Sequence, residues 1–288
     1  MTGPQKTTLP TVASLAQADD PDIRERVRAL MISASDQAEA TFRTAVRPIY
    51  GVAENGTPDQ LGSAVLVDID GTRCLMTAAH VIDANEKTTL YVGGDTTLVE
   101  INAEFDATVA PESGRRDDHY DFAIAPLPET MLSEMSTLKF VTGQEMAPTS
   151  LGRDKLLYTA LGFPNSKNKA ALAGALKVRG QLYSYSSFAR FQPALALSLD
   201  VSGDEHVFID HRKHGRDETG RKVLSIAPRG LSGGAIIQAA DFGDREVLLG
   251  RKPPEPKLAA ITIELYKSHQ TLLGTRVDAM LPAWRAAQ

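Results

Sequence analysis

The sequence predicts an all-β protein, on three observations. More than ten short apolar runs, each a few residues long, are separated by glycine, proline and charged residues, the pattern of a barrel or sandwich. Asp70-Gly71 joins two of those runs, and Asp-Gly between apolar segments is a hairpin signal. Glycine is frequent (22 residues) and aromatics are scarce (6%), a balance that suits many short elements joined by turns.

Residues 1–19 are polar and are expected to be disordered. A helix signal then occupies 20–44: Asp20 can cap, Pro21 suits the first helical position, and Ile23, Val27, Leu30, Met31 and Ala38 recur at helical spacing. That stripe predicts packing on the domain that follows, with a docking surface for a regulatory partner or a lid over the site as the alternatives. Strands are expected in RPIYGVAEN, GSAVLVDI, RCLMTAAH, TTLYVGG, TLVEINAEF, DFAIAPL and LLYTALGF. Beyond Pro164 they are expected in ALKVRGQLYSY, ALALSLDV, KVLSIAP, GAIIQAA, EVLLG and KLAAITIELY. Residues 128–150 read as a connection between two strand-rich halves, about 45–127 and about 151–274. At the C-terminus, residues 275–288 place Val277, Met280, Leu281 and Trp284 at helical spacing, with Thr275 as a possible cap and Pro282 delaying or kinking the helix.

Bulk properties exclude several functions. A net charge of -5 offers no basic surface for nucleic acid. No apolar run is long enough to span a membrane, and the N-terminus lacks a signal peptide's apolar stretch. The single cysteine, Cys74, permits no intrachain disulfide, which points to the cytoplasm, and it reads as a small buried hydrophobe.

Three segments carry the residue types that peptide-bond hydrolysis needs: a nucleophile, a base and donors for an oxyanion. MTAAHVI places His80 just after an apolar strand, YDFAIAPL opens an apolar strand at Asp121, and RGLSGGAII sets Ser232 in a glycine-rich turn. Together T-A-A-H, D-F-A-I and G-L-S-G-G-A, in this order, resemble the trypsin-like (chymotrypsin-fold) serine proteases, in particular their disulfide-free intracellular and bacterial branch. The resemblance spans about residues 45–280. It implies two antiparallel six-stranded β-barrels with the terminal helices outside them, protein or peptide substrates, and no cofactor or metal. By position it implies Ser232 as nucleophile, His80 as general base, Asp121 as its orienting carboxylate, and the N–H groups of Gly230 and Ser232 as the oxyanion hole. Gly62-Ser63 and Gly162-Phe163-Pro164 match structural landmarks of the family. Ile226, six positions before the serine, with Ile261 would form an apolar pocket for the side chain preceding the cleaved bond. Leu231 stands where secreted members carry aspartate, and Ala235 where most carry proline.

Other readings of these residues are blander. G-L-S-G-G also fits the nucleophile elbow of α/β-hydrolases, but GAIIQAA after it reads as a strand and only His269 remains downstream as a base. The run DEHVFIDHRKHG, with His206, His211 and His214, matches no metal spacing and reads as a solvated hairpin tip. His119 reads as an exposed neighbour of Asp121, and RKPPEPK as an exposed loop. A module that uses the fold only to bind peptides, without catalysis, is the alternative from another functional class.

Overall fold

The computed structural model describes residues 21–147, 155–165, 180–216, 221–225 and 229–287. Expected disorder over 1–19, the Asp20 cap and Ile226 lie outside them. Helix α1 (Pro21–Phe42) is followed by strands β1 (Val46–Val52), β2 (Pro58–Ile69) and β3 (Thr72–Thr77), and by the one-turn helix α2 (Ala79–Ile82). Then come β4 (Tyr91–Gly93), β5 (Leu98–Glu100), β6 (Asp106–Ala107), β7 (Ala123–Pro126), α3 (Glu129–Ser133) and β8 (Val141–Thr142). The second half holds β9 (Leu156–Gly162), β10 (Tyr183–Phe188), α4 (Pro193–Leu199), β11 (His206–Asp210), β12 (His214–Arg216) and β13 (Lys222–Leu224). It ends with β14 (Ala235–Asp241), α5 (Arg245–Leu248), β15 (Lys257–Tyr266), β16 (Thr271–Arg276) and α6 (Val277–Ala287).

The two halves form two separate sheets. The first has eight strands in the order β5-β4-β1-β2-β3-β7-β6, with β8 added in parallel to β2, where six strands were expected. One of the two extra strands, β8, comes from the segment read as a plain connection. The second has six strands in the order β10-β9-β14-β15-β16-β11, and an isolated bridge joins Ala189, just after β10, to Ile209 of β11. Asp70 and Gly71 both take positive φ (53° and 89°), the turn geometry that the Asp-Gly signal between β2 and β3 calls for.

Packing explains why both terminal helices belong to the fold. The largest apolar cluster draws on both sheets, on Val27, Ala34, Ala38 and Phe42 of α1, and on Val277, Met280 and Trp284 of α6. Lys139 lies over the Phe42 ring, 5.0 Å from its centroid. Helix α6 returns to the first sheet, where Trp284 Nε1 donates to Asp106 (3.0 Å) and Arg285 Nη2 to Asp70 (2.6 Å). It begins at Val277 and keeps Pro282 inside; Thr275 is not its cap, because its hydroxyl donates to the Tyr120 carbonyl (2.5 Å). Two further clusters fill the first sheet, around Leu66 and Leu75, and the second, around Tyr158 and Ile236.

Three sequence expectations need correction. ALALSLDV is helix α4, not a strand: Pro193 at its start fixes a helical φ, and its apolar residues bury at Leu195 and Ala196. EVLLG is the short helix α5, capped by the Asp244 side chain accepting from Glu246 N–H (2.9 Å). DEHVFIDHRKHG is exposed over Arg212–His214 but is not a solvated tip before that, since β11 pairs with β16 and His206 and His211 are buried. Strand β16, TLLGTR, had no counterpart among the expected strands. Among the described residues no helix is long and apolar enough to cross a membrane.

Candidate active site

His80, Asp121 and Ser232 meet at the seam of the two sheets. They line one cavity of about 480 Å³, together with Arg115, Arg116, Asp118, Arg229 and the Thr262–Lys267 stretch of β15 and its turn. The cavity's floor and walls therefore come from both halves of the chain.

His80 follows β3, on the first turn after the strand end, as its position behind an apolar run implied. Asp121 sits two residues before β7 and is buried, with a left-handed backbone (φ 42°) that is uncommon for a residue other than glycine. That turn aims both carboxylate oxygens at one residue. Oδ1 accepts from the His80 backbone N–H (2.9 Å) and Oδ2 lies 2.5 Å from His80 Nδ1. A carboxylate only accepts, so Nδ1 carries the proton and the lone pair of Nε2 is left for another partner. Burial pulls the His80 pKa down, but the Asp121 hydrogen bond and the charges of Asp121, Asp83 and Glu264 outweigh it and leave the pKa raised.

Residues 118–120, leading to Asp121, are tied down, and these ties were not read from the sequence. Asp118 Oδ1 accepts from the N–H groups of Tyr120 (3.1 Å) and Asp121 (3.0 Å). Its other oxygen receives Arg115 Nη1 (2.7 Å), while Arg115 Nε donates to Asp83 (2.7 Å), three residues past His80. Arg115 thus joins the histidine segment to the aspartate segment through one planar fork. From the second sheet, His206 Nε2 meets the His119 carbonyl (2.9 Å) and Thr275 holds the Tyr120 carbonyl, while the Glu205 carboxylate just before β11 lies beside Tyr120. His206 is 1% exposed and its Nδ1 has no partner among the described residues; burial lowers its pKa. His119 is half-buried, and its carbonyl serves this clamp. A sequence signal existed only for Arg115 and Asp118, as charges close before Asp121.

The serine loop is shaped by close packing. A Cβ on Gly233 (φ 80°) would lie 2.1 Å from the Ser63 carbonyl oxygen, and one on Gly230 (φ 95°) 2.7 Å from that of Phe163. Both positions therefore exclude a side chain on space and on φ. Ser63 of β2 holds the loop to the first sheet: its N–H donates to the Ser232 carbonyl (2.8 Å), and its hydroxyl donates to Gly230 O (2.8 Å) while accepting from Phe163 N–H (2.8 Å). The Gly62-Ser63 and Gly162-Phe163 pairs noted in the sequence thus sit against the loop. The Arg229 carbonyl accepts from Asn165 N–H (2.8 Å), and in a trans peptide this turns the Gly230 N–H the opposite way. Among the described residues neither that N–H nor the one on Ser232 has a protein acceptor.

One bond is not made. Ser232 Oγ donates to the Ile263 carbonyl at 3.3 Å, and no hydrogen bond joins it to His80 among the described residues. Ile263 lies at a register shift between β15 and β16, which frees its carbonyl from the ladder. Of the two residues expected in the specificity pocket, Ile261 is fully buried in the core and is not among the residues lining the cavity. Leu231 is buried, with its side chain against Gly162. Cys74 is buried in β3, and its thiol is pushed up to about 12 by burial and by Asp68. His206, His211 and His214 form no metal cluster among the described residues.

No protein family matches the chain, and no curated protein does. Among solved structures, one described as "Aromatic interactions drive the coupled folding and binding of the intrinsically disordered Sesbania mosaic virus VPg protein" is similar at a TM-score of 0.43 and 14% identity. The similarity covers 82% of this chain and 93% of that one. A likeness at that level carries no inference about this chain, whose site rests on its own geometry.

Proposed function

We propose that this chain is a serine endopeptidase, a two-barrel protease of the trypsin-like kind, acting through His80, Asp121 and Ser232. The observation that carries the reading is the pair of contacts from Asp121 to the ring and backbone of His80, in a cavity that also holds Ser232. Ser232 Oγ adds to the scissile carbonyl carbon as His80 Nε2 takes its proton, and the carbonyl oxygen becomes an oxyanion held by the N–H groups of Gly230 and Ser232. The same proton then passes to the leaving amine as the C–N bond breaks. Water, activated by His80 in its turn, hydrolyses the acyl-enzyme. Asp121 holds the imidazole tautomer throughout and stabilises the imidazolium.

The catalytic step requires Ser232 to leave Ile263. At 3.3 Å that bond is long for O–H···O, and a hydrogen bond of ordinary quality contributes only about 1 kcal/mol net. Rotation of the side chain is therefore cheap, and apo sites often tighten only with substrate. The same contact favours a second reading, a latent or peptide-binding module whose serine stays turned away. A single buried cysteine suits a reducing compartment such as the cytoplasm.

Cleavage of denatured fluorescein-labelled casein tests the first reading. Wild type should release peptides; Ser232→Ala and His80→Ala should each lose about 10⁶ in rate, and the double variant should be no worse. Casein left whole by wild type, or cut equally by Ser232→Ala, would support the second.

A further inference from the structure

We propose that the cleft takes polypeptides bearing acidic side chains close to the bond at Ser232, which deepens the peptidase reading by naming the class of its substrate. The chain carries more acids (36) than bases (31), yet the cavity reverses that balance. Four of its lining residues are basic: Arg115, Arg116, Arg229 and Lys267. Three are acidic, and two of these are already engaged, Asp118 by Arg115 and Asp121 by His80. Glu264 alone among them has no ion-pair partner within the described residues; its carboxylate lies beside Tyr266.

The basic groups divide the same way. Arg115 is spent on Asp83 and Asp118. Arg116, Arg229 and Lys267 are exposed, and no ion pair within the described residues uses them. They come from three elements: the turn after Gly114, the serine loop, and the turn between β15 and β16. Asp117, beside Arg116, does not line the cavity. Three uncommitted cations, lining the cavity of Ser232 from separate elements, match an extended chain with carboxylates at several positions better than a single anion. A polynucleotide fits worse, because the rest of the surface is net acidic and would repel its continuous charge.

Exposed cations act through steering and weak pairing, so the preference should be about tenfold and should fade as salt shortens the Debye length from about 20 Å to about 6 Å. The test uses uncleaving Ser232→Ala protein and three fluorescein-labelled alanine-based decapeptides, differing in four positions that are all Glu, all Gln or all Lys. Anisotropy titration at low and high NaCl should give the Glu peptide about tenfold tighter binding than the Gln peptide at low salt. That gap should shrink at high salt and vanish in Ser232→Ala carrying Arg229→Glu and Lys267→Glu.

Equal binding of the Glu and Gln peptides, tighter binding of the Lys peptide, or a single-stranded oligonucleotide outcompeting the Glu peptide would overturn the proposal. Fluorophosphonate labelling of wild type is read separately. A reactive Ser232 with no acid preference removes only this inference, and an acid preference with an inert Ser232 removes only the peptidase reading.

Discussion

Among single residues, Asp121 is a carboxylate placed by backbone strain. Asp121 adopts a left-handed backbone so that both its oxygens reach His80. Asp121→Asn keeps the shape but permits the wrong imidazole tautomer, and kcat against casein should fall about 10⁴-fold with the far-UV spectrum unchanged. Because the charges around His80 hold its pKa raised, the ascending limb of kcat/KM should lie above pH 6.5, the ordinary histidine value, since only neutral imidazole accepts a proton. A limb centred near pH 4–5 would mean that a carboxylate, and not His80, is the base. The Arg115 fork gives a sharper test of positioning. Arg115→Lys keeps the charge but cannot bridge Asp83 and Asp118 together, so kcat should drop by up to about 10²-fold while KM changes little. The His80 titration followed by NMR should shift as well, which a loss of general stability would not produce.

At the scale of elements, close packing around the serine loop explains what was legible and what was not. G-L-S-G-G could be recognised because its glycines are forced: Gly233 has no room for a methyl group between Ser63 and Thr77. Gly233→Ala combines that overlap with about 1–3 kcal/mol of backbone strain, and should abolish fluorophosphonate labelling as well as lower the urea midpoint. The Asp70-Gly71 hairpin and the amphipathic stripe of α1 were legible for similar local reasons. Phe42 on that helix is fully buried, so Phe42→Ala should cost about 3–5 kcal/mol in urea unfolding. By contrast ALALSLDV and EVLLG read as strands, because a short apolar run does not distinguish period 2 from period 3.6. Only Pro193 and Asp244, a helix-start proline and a cap, distinguished them. The clamp from His206 and Thr275 onto residues 119–120 was invisible, because it joins segments more than 80 positions apart.

At the scale of the molecule, the seam between the sheets couples folding to the site. His206 and His211 are buried with lowered pKa values, burial being the chief cause in each. A lowered histidine pKa gives stability that is present above the unfolded value of about 6.5 and is lost as pH falls towards the folded value. His80 runs the other way: its raised pKa gives stability present below about 6.5 and lost as pH rises through the folded value. His206→Gln should therefore flatten the fall in Tm between about pH 7 and pH 5.5, measured by circular dichroism.

The same wholeness bears on activation. Leu231 offers no carboxylate to a new N-terminal amine, and burying an ammonium there unpaired would cost several kcal/mol. A cut upstream of Tyr50 would separate α1, which packs into the main core, from a strand buried at Val46 and from Pro48 to Gly51. The uncut chain should therefore be competent, with any control exerted by a partner at residues 20–44 or by the loops.

The most direct measurement is fluorophosphonate labelling of the full-length chain, with its N-terminus verified by mass spectrometry. If Ser232 is a nucleophile activated by His80, one adduct forms per chain, located on Ser232, faster as pH rises through the His80 titration and absent in His80→Ala. No adduct on the intact chain, or labelling that His80→Ala leaves unchanged, would contradict that role.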